Sequence, residues 1–249
     1  MDDVTIWYFI KFFECEEYAD KFLKGQLHLN RLARFRVIEE AGTDGRDDQT
    51  EAVAIWIQPD DVIMELNIPG IGNTTITKAD LAAPISLGST VYDYHHILCM
   101  YAVYTSGFKP SEGGRFEPNH EQVAEFRRQI SVDERCIKMG PFAVVFPARP
   151  FLIQVREAAL RDRLRIRGKL VKYYDDETFN GEIPEKDIPF HKQKRFSYQK
   201  EFRICIEPRT IGNDPLVFDI GEIGNYASKI NLDHTPLEIK LKPITDSDG

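Results

Sequence analysis

The sequence predicts one α+β domain in which strands outnumber helices and pair mainly antiparallel. Three observations carry that expectation. Short runs rich in β-branched and aromatic residues recur along the chain, mostly too closely spaced for a helical crossover between consecutive strands. Segments with apolar residues at helical spacing are few and lie between those runs. Nothing in the 249 residues reads as an internal repeat, a low-complexity tract or a linker of domain-boundary length. We therefore expect a single domain over residues 1–243, followed by a disordered acidic tail at 244–249.

The elements follow in order. Thr5–Phe13 (TIWYFIKFF) reads as a core strand. Glu16–Lys24 places Tyr18, Ala19, Phe22 and Leu23 on one helical face, and Gly25 follows in the usual helix-ending position. Gln26–Asn30 alternates as a half-buried strand does. Ala41–Thr50 (AGTDGRDDQT) is a polar loop. Two hairpin-like runs come next, Ala52–Gln58 and Val62–Thr77, the second turning at Pro69–Asn73. Tyr94–Tyr104 is apolar enough for a central strand, and Ser106–Pro118 is the most loop-like segment, a candidate mobile lid. His120–Ile130 predicts a helix, Phe142–Phe146 a buried strand, and Gln154–Arg167 a second long helix ended by Gly168. Lys169–Tyr174, Phe202–Ile206 and Leu216–Asp219 predict strands, Gly221–Ile230 a short helix, and Pro236–Leu241 a last strand.

Composition limits the function classes. A net charge of −8 and a pI near 5.4 argue against a protein that coats nucleic acid through a broad basic surface, though not against a local grip. The four cysteines (Cys15, Cys99, Cys136, Cys205) are scattered without a CxxC pair, which fits reduced thiols better than disulfides or zinc. With neither a signal-peptide pattern nor a membrane-length apolar run, a cytoplasmic protein is expected, with no membrane partner.

Several patterns suggest chemistry weakly. Gly70-Ile71-Gly72 lies in a hairpin turn without a following helix, so it is neither a dinucleotide fingerprint nor a P-loop. His95 and His96 are adjacent on a strand, face opposite sides and cannot chelate together; one is expected in the core and one at the surface, with no metal. Cys99 would serve as a nucleophile only beside a histidine in space. The run Arg161–Lys169 holds four arginines in seven residues; it complements a helix C-terminus, and it could also contact phosphates. Gly45–Glu51 is an acid–base cluster before a strand, where Arg46 could clamp a pyrophosphate.

The most informative stretch is Arg195–Ile206 (RFSYQKEFRICI). If it is extended, Gln199 and Glu201 project to one side of a sheet, with Ser197 before them and Arg203 after. An amide beside a carboxylate suits a site that fixes a polar substrate and stabilises developing positive charge. The plainer reading is a half-buried edge strand with polar residues facing water, and an Arg203–carboxylate pair with a purely structural role.

Three segments together resemble a known family. The strand–helix–Gly–strand opening, Tyr8–Phe12 and then Tyr18–Asn30, resembles the start of the ADP-ribosyltransferase fold. Gln199-Lys200-Glu201 resembles the QxE motif of one branch of those enzymes. Over most of its length the chain is also similar to a group of prokaryotic proteins with an FLxGxL, an RxDxxE and a YQxEFR motif; here these are Phe22–Leu27, Arg46–Glu51 and Tyr198–Arg203. At least one protein of that group is the RNA-modifying toxin of a phage-defence toxin–antitoxin–chaperone system.

The resemblance implies a split β-sheet core with flanking helices and mono-ADP-ribosyl transfer from NAD, which is a substrate, without a metal. It implies Glu201 as the transition-state stabiliser and Gln199 as the residue that holds the acceptor. The NAD-binding residues it implies are Lys11, Tyr8, Arg46, Ser197 and Tyr198. Lys11 sits nearest the place of the family's first-strand Arg or His, and Tyr104-Thr105-Ser106 is closest to its Ser-Thr-Ser run. It further implies a toxin or antiviral defence role, a nucleic-acid substrate (RNA favoured), and antitoxin and chaperone partners. Two rival functions stay open: a non-catalytic nucleic-acid-binding or regulatory module, and a metal-dependent nuclease using Arg46, Asp48 and Glu51.

Overall fold

Dense β-branched and aromatic sequence opens the fold as β1 (Val4–Phe13). The computed structural model describes residues 4–37, 50–108, 119–233, 237 and 239. The chain continues through α1 (Glu16–Leu23), β2 (Gln26–Arg31) and α2 (Arg34–Val37). In α1, Glu16 and Glu17 in the first turn and Lys21 in the last complement the dipole, while Ala19 and Phe22 are buried. Gly25 stands at φ +84°, and a Cβ there would collide with the Gly221 backbone. Both the left-handed turn and the close approach require glycine. Next come β3 (Val53–Ile57), β4 (Met64–Ile68), β5 (Gly72–Ile76), β6 (Ile85–Gly88) and the long β7 (His96–Ser106).

α3 (His120–Ile130) starts on a reciprocal capping box between Asn119 and Gln122. α4 (Glu134–Ile137) is a single turn, and β8 (Phe142–Pro147) leads into α5 (Ala148–Arg161). The last third has no α-helix among the described residues, and its strands are β9 (Ile166–Leu170), β10 (Lys172–Tyr174), β11 (Gly181–Glu182), β12 (His191–Gln193), β13 (Glu201–Ile206), β14 (Leu216–Asp219) and β15 (Ser228–Asn231). Two stretches of 3₁₀ helix, Glu185–Phe190 and Lys194–Gln199, flank β12. The architecture is mixed α+β with mostly antiparallel sheets, as the spacing of strand-like runs predicts.

β7 organises the main sheet of eight strands. On one flank it pairs with β13 over its first half (Glu201↔Tyr101 to Ile206↔His96), and β13 pairs onward with β9. The other flank is shared. β1 takes the far half, ending at Ile10↔Tyr101, and β2 takes the near end at Asn30↔Ile97 and Arg31↔His96. Between them Leu98, Cys99 and Met100 have no strand partner on that flank. The sheet therefore splits there.

The two faces of β7 and β13 are unlike. Leu98, Met100 and Ala102 with Phe202, Ile204 and Ile206 enter the largest apolar cluster, beneath α1 and α5. The opposite face carries Ile97, Cys99 and Tyr101 beside Cys205, Arg203 and Glu201. There Ile97 and Cys205 belong to one smaller cluster and Tyr101 to another. Arg203 and Glu201 lie at the seam between the two.

Four expectations are corrected. The long helix runs over Ala148–Arg161 rather than Gln154–Arg167, and Ile166–Leu170 is a strand. Leu164, Ile166, Gly168 and Leu170 alternate with Arg165, Arg167 and Lys169, a period of two that fits β9 and not a helix end. Gly168 packs its bare Cα against the Phe202 ring of β13, where a Cβ would come within 3.0 Å of Cζ. Residues 221–230 form no helix; they turn at Ile223–Tyr226 and then add β15 to the edge of β8. His95 and His96 are both buried, because the turn before β7 folds His95 over the Tyr92 ring. The loop 41–49, the lid segment from 109 to 118, the tail and most of the last strand fall outside the described residues.

Candidate functional site

The split leaves a cavity of about 210 Å³ over β7. Ile10, Met100, Tyr101 and Met139 give it apolar walls, and Lys11, Gln199, Glu201, Arg203 and Lys192 line it with polar groups. Lys11 enters where β1 parts from β2, and its Nζ donates to the Cys99 carbonyl at 2.8 Å. It thus serves the strand backbone where neither neighbour pairs with it, a buried carbonyl that would be costly to leave unbonded.

The polar floor is an interlocked set of charges. Arg203, 1 % exposed, spans two carboxylates. Its Nη1 and Nη2 donate to Glu51 Oε1 and Oε2 at 2.5 and 2.8 Å, a bidentate pair. Its Nε donates to Glu201 Oε1 at 2.8 Å, Nη2 reaches Glu201 Oε2 at 3.3 Å, and Nη1 also bonds the Pro189 carbonyl. Lys192 completes the set, with Nζ 3.0 Å from Gln199 Oε1 and 3.5 Å from Glu201 Oε2. Two cations and two anions balance, which lets four charged groups share a dry seam.

Glu201 is poised by this company. Burial by itself would raise its pKa, but the charges of Arg203 and then Lys192 outweigh burial and hold the carboxyl well below the ordinary carboxylate range. The neighbouring Cys99 thiol lowers it further. Its backbone is pinned too, since Glu201 N–H donates to the Tyr173 hydroxyl at 2.8 Å and its carbonyl accepts from Val171. The result is an ionised carboxylate at a cavity wall, with its nearest bonds on Oε1 and longer ones on Oε2. Burial, with Glu201 adding to it, pushes the Cys99 thiol up to about 12, so Cys99 stays protonated and is no nucleophile at neutral pH.

The route by which Gln199 and Glu201 meet differs from the one expected. Gln199 ends a 3₁₀ turn, Lys200 takes a left-handed conformation (φ 39°, ψ 48°), and the strand begins only at Glu201. The two side chains converge because Lys192 bonds both, not through the period of a strand. β13 is also no edge: it is hydrogen-bonded on both flanks and buried throughout.

The other sequence-derived residues fare unequally. Lys11 lines the cavity; Tyr198 stands just behind it, where its hydroxyl accepts from Gln199 Nε2 at 3.4 Å under the Arg135 guanidinium. Ser197 is exposed on the 3₁₀ turn, and Tyr8 is exposed on β1; neither lines the cavity. Tyr104-Thr105-Ser106 pairs with Ile6-Thr5-Val4 at the far end of β7, and Cys99 and Tyr101 occupy the cavity instead. Arg46 and Asp48 lie outside the described residues. Sequence reasoning missed Lys192 as a site residue, because nothing in His191-Lys192-Gln193 marks it. Arg203 and Glu51 had a signal: they close two of the three motifs that carry the resemblance, and they close on each other.

Two further groups are engaged elsewhere. In the basic run, Arg161 pairs with Asp162, Arg165 with Glu207 and Lys169 with Asp187, and Arg167 donates to the Lys186 carbonyl. Glu51 has both oxygens on Arg203, which leaves it ill-suited to a metal ion. Among the described residues, no His/Cys/Asp/Glu group of three or more could hold one. No helix among them is long and apolar enough to cross a membrane. Comparison with protein-family models, with curated proteins and with solved structures finds no match.

Proposed function

We propose that the chain is an NAD-dependent mono-ADP-ribosyltransferase that modifies nucleic acid, RNA before DNA, as a toxin or phage-defence effector. One observation carries the reading: an ionised, buried carboxylate, Glu201, lines a cavity opened by the split between β1 and β2. In the transfer, the bond between nicotinamide and ribose breaks with its electron pair leaving on nicotinamide. The ribose carbon becomes cationic, and a lone pair of the acceptor closes the new bond while its proton passes to solvent. A fixed anion beside that carbon is worth more in a dry cavity than in water.

Each residue has a part. Glu201 accepts from ribose hydroxyls and faces the developing charge, and its depressed pKa keeps it anionic at every working pH. The apolar walls receive the nicotinamide ring. At about 210 Å³ the cavity falls below the usual ~300–1,000 Å³ of a site enclosing a whole ligand, so it takes the nicotinamide–ribose end. Gln199, next to Glu201, holds the acceptor. Antitoxin and chaperone partners belong to the same proposal through the resemblance alone.

The test incubates the protein with NAD labelled on the adenylate side, together with separate RNA, DNA and protein pools and a Glu201→Gln control. Label entering RNA with wild type and not with the variant supports the reading. Label entering only protein moves the substrate class. No nicotinamide release by a folded wild type, with RNA still bound, replaces the enzyme by a binding module.

A further inference from the structure

Lys192 is the buried cation of the cavity that no motif contains. It is 4 % exposed on β12, with the Phe196 ring 4.6 Å from its Nζ. An ammonium has three protons and no lone pair, so a primary amide can turn only its oxygen toward it. Lys192 therefore decides between the two flips of the Gln199 amide. Oε1 faces Nζ at 3.0 Å, and Nε2 lies on the other side, where it donates to the Tyr198 hydroxyl. At 3.4 Å that bond is long for a hydrogen bond. The same ammonium lies 3.5 Å from Glu201 Oε2 and so fixes the spacing between amide and carboxylate.

We infer that Lys192 is the positioning residue that sets acceptor choice: by holding Gln199 Oε1 it makes Gln199 a donor, so the site selects an RNA base whose nucleophilic atom is flanked by a ring nitrogen or a carbonyl oxygen. The inference rests on the transferase reading above. Base edges differ in their order of donors and acceptors, and an amide locked in one flip reads one order and rejects its reverse. An amide free to flip would accept both. Holding amide and carboxylate at one separation also places the acceptor against the ribose carbon, where small displacements are costly in rate.

The experiment follows label transfer and nicotinamide release together, with wild type, Lys192→Met and Lys192→Arg, on single-stranded RNA oligomers that differ in one nucleotide. Lys192→Met is expected to flatten the preference among oligomers by about tenfold or more and to divert turnover from RNA to water, with Lys192→Arg recovering part of both. A lysine of merely structural importance would lower all rates alike and leave the ratios unchanged. Because Lys192→Met uncovers a buried charge and can fail to fold, wild type carries a second arm. Once its accepting nucleotide is known, that nucleotide is replaced by one in which the flanking lone pair is removed, as in a deaza base, or blocked by a methyl group. Transfer should fall about tenfold or more while nicotinamide release persists. Unchanged ratios in a folded Lys192→Met, or equal transfer to the blocked nucleotide, overturn the inference alone. Wild type that releases no nicotinamide overturns it together with the transferase reading.

Discussion

Arg203 shows how little of a side chain's role its immediate neighbours announce. It is 1 % exposed, bonded to Glu51, Glu201 and a backbone carbonyl, and it both anchors Glu201 and holds its carboxyl ionised. Glu201→Gln keeps the shape and removes the charge, leaving Arg203 and Lys192 facing Glu51 alone. Transfer should fall by about 100-fold or more, and the urea midpoint should drop by an amount equivalent to about 3 kcal/mol while circular dichroism stays native. Retained activity would mean that the carboxylate charge is not needed. The pH dependence follows from the same group. Its folded pKa is depressed, so its contribution to stability is complete above the unfolded value of about 4.3. That contribution is lost as pH falls from there toward the folded value. Urea melts from about pH 6 down to about pH 3 should show wild type losing more stability than Glu201→Gln. Cys99 should resist alkylation near neutral pH in the folded protein and react on unfolding, since burial keeps it a thiol.

At the scale of elements, the joints are specified by backbone conformation as much as by propensity. Gly25→Ala meets both a positive φ and the Gly221 backbone, and should cost about 2 kcal/mol or more in a urea melt without altering the cavity chemistry directly. A smaller loss would mean that the α1–β2 joint yields. Most elements could be read from sequence: β1, α1, β2, β7, α3, β8, β13 and β14 lie within a few residues of their expected places. Where reading failed, a local signal was overruled or overlooked. Arg161–Lys169 reads as the end of a Gln154–Arg167 helix, but its period of two lets Ile166–Leu170 pair with β13 instead. Gly221–Ile230 looked helical, but the open edge of β8 offered Ser228–Asn231 a ladder of backbone bonds that a short isolated helix cannot match. Gln199 and Glu201 looked like neighbours on a strand, and Lys200 in its left-handed turn broke that strand between them.

Over the whole molecule, β7 and β13 carry an apolar cluster on one face and the site on the other, so the scaffold and the site share one foundation. Hydrogen exchange should find β7, β13 and the adjoining part of β1 most protected. The β4–β5 hairpin, a two-stranded sheet of its own with Leu66 and Ile71 exposed, should exchange fast. Equal protection of the hairpin would show that it packs more firmly than its exposure implies. The sequence by itself determined the fold class, the run of strands and the two residues to watch, Gln199 and Glu201. Those follow from local periodicity and from residue chemistry, which a linear chain displays. Only the tertiary structure decided that β1 and β2 share one flank of β7 and leave a cavity between them. Only it placed Lys11 in that gap, left Tyr8 and Ser197 outside the cavity, brought Lys192 and Arg203 to the Glu201 carboxylate, and set Glu51 on the other side of Arg203. Buried charges find their partners across 152 residues of chain, and the cost of leaving a charge unpaired in a dry interior, which no local pattern records, is what brings them together.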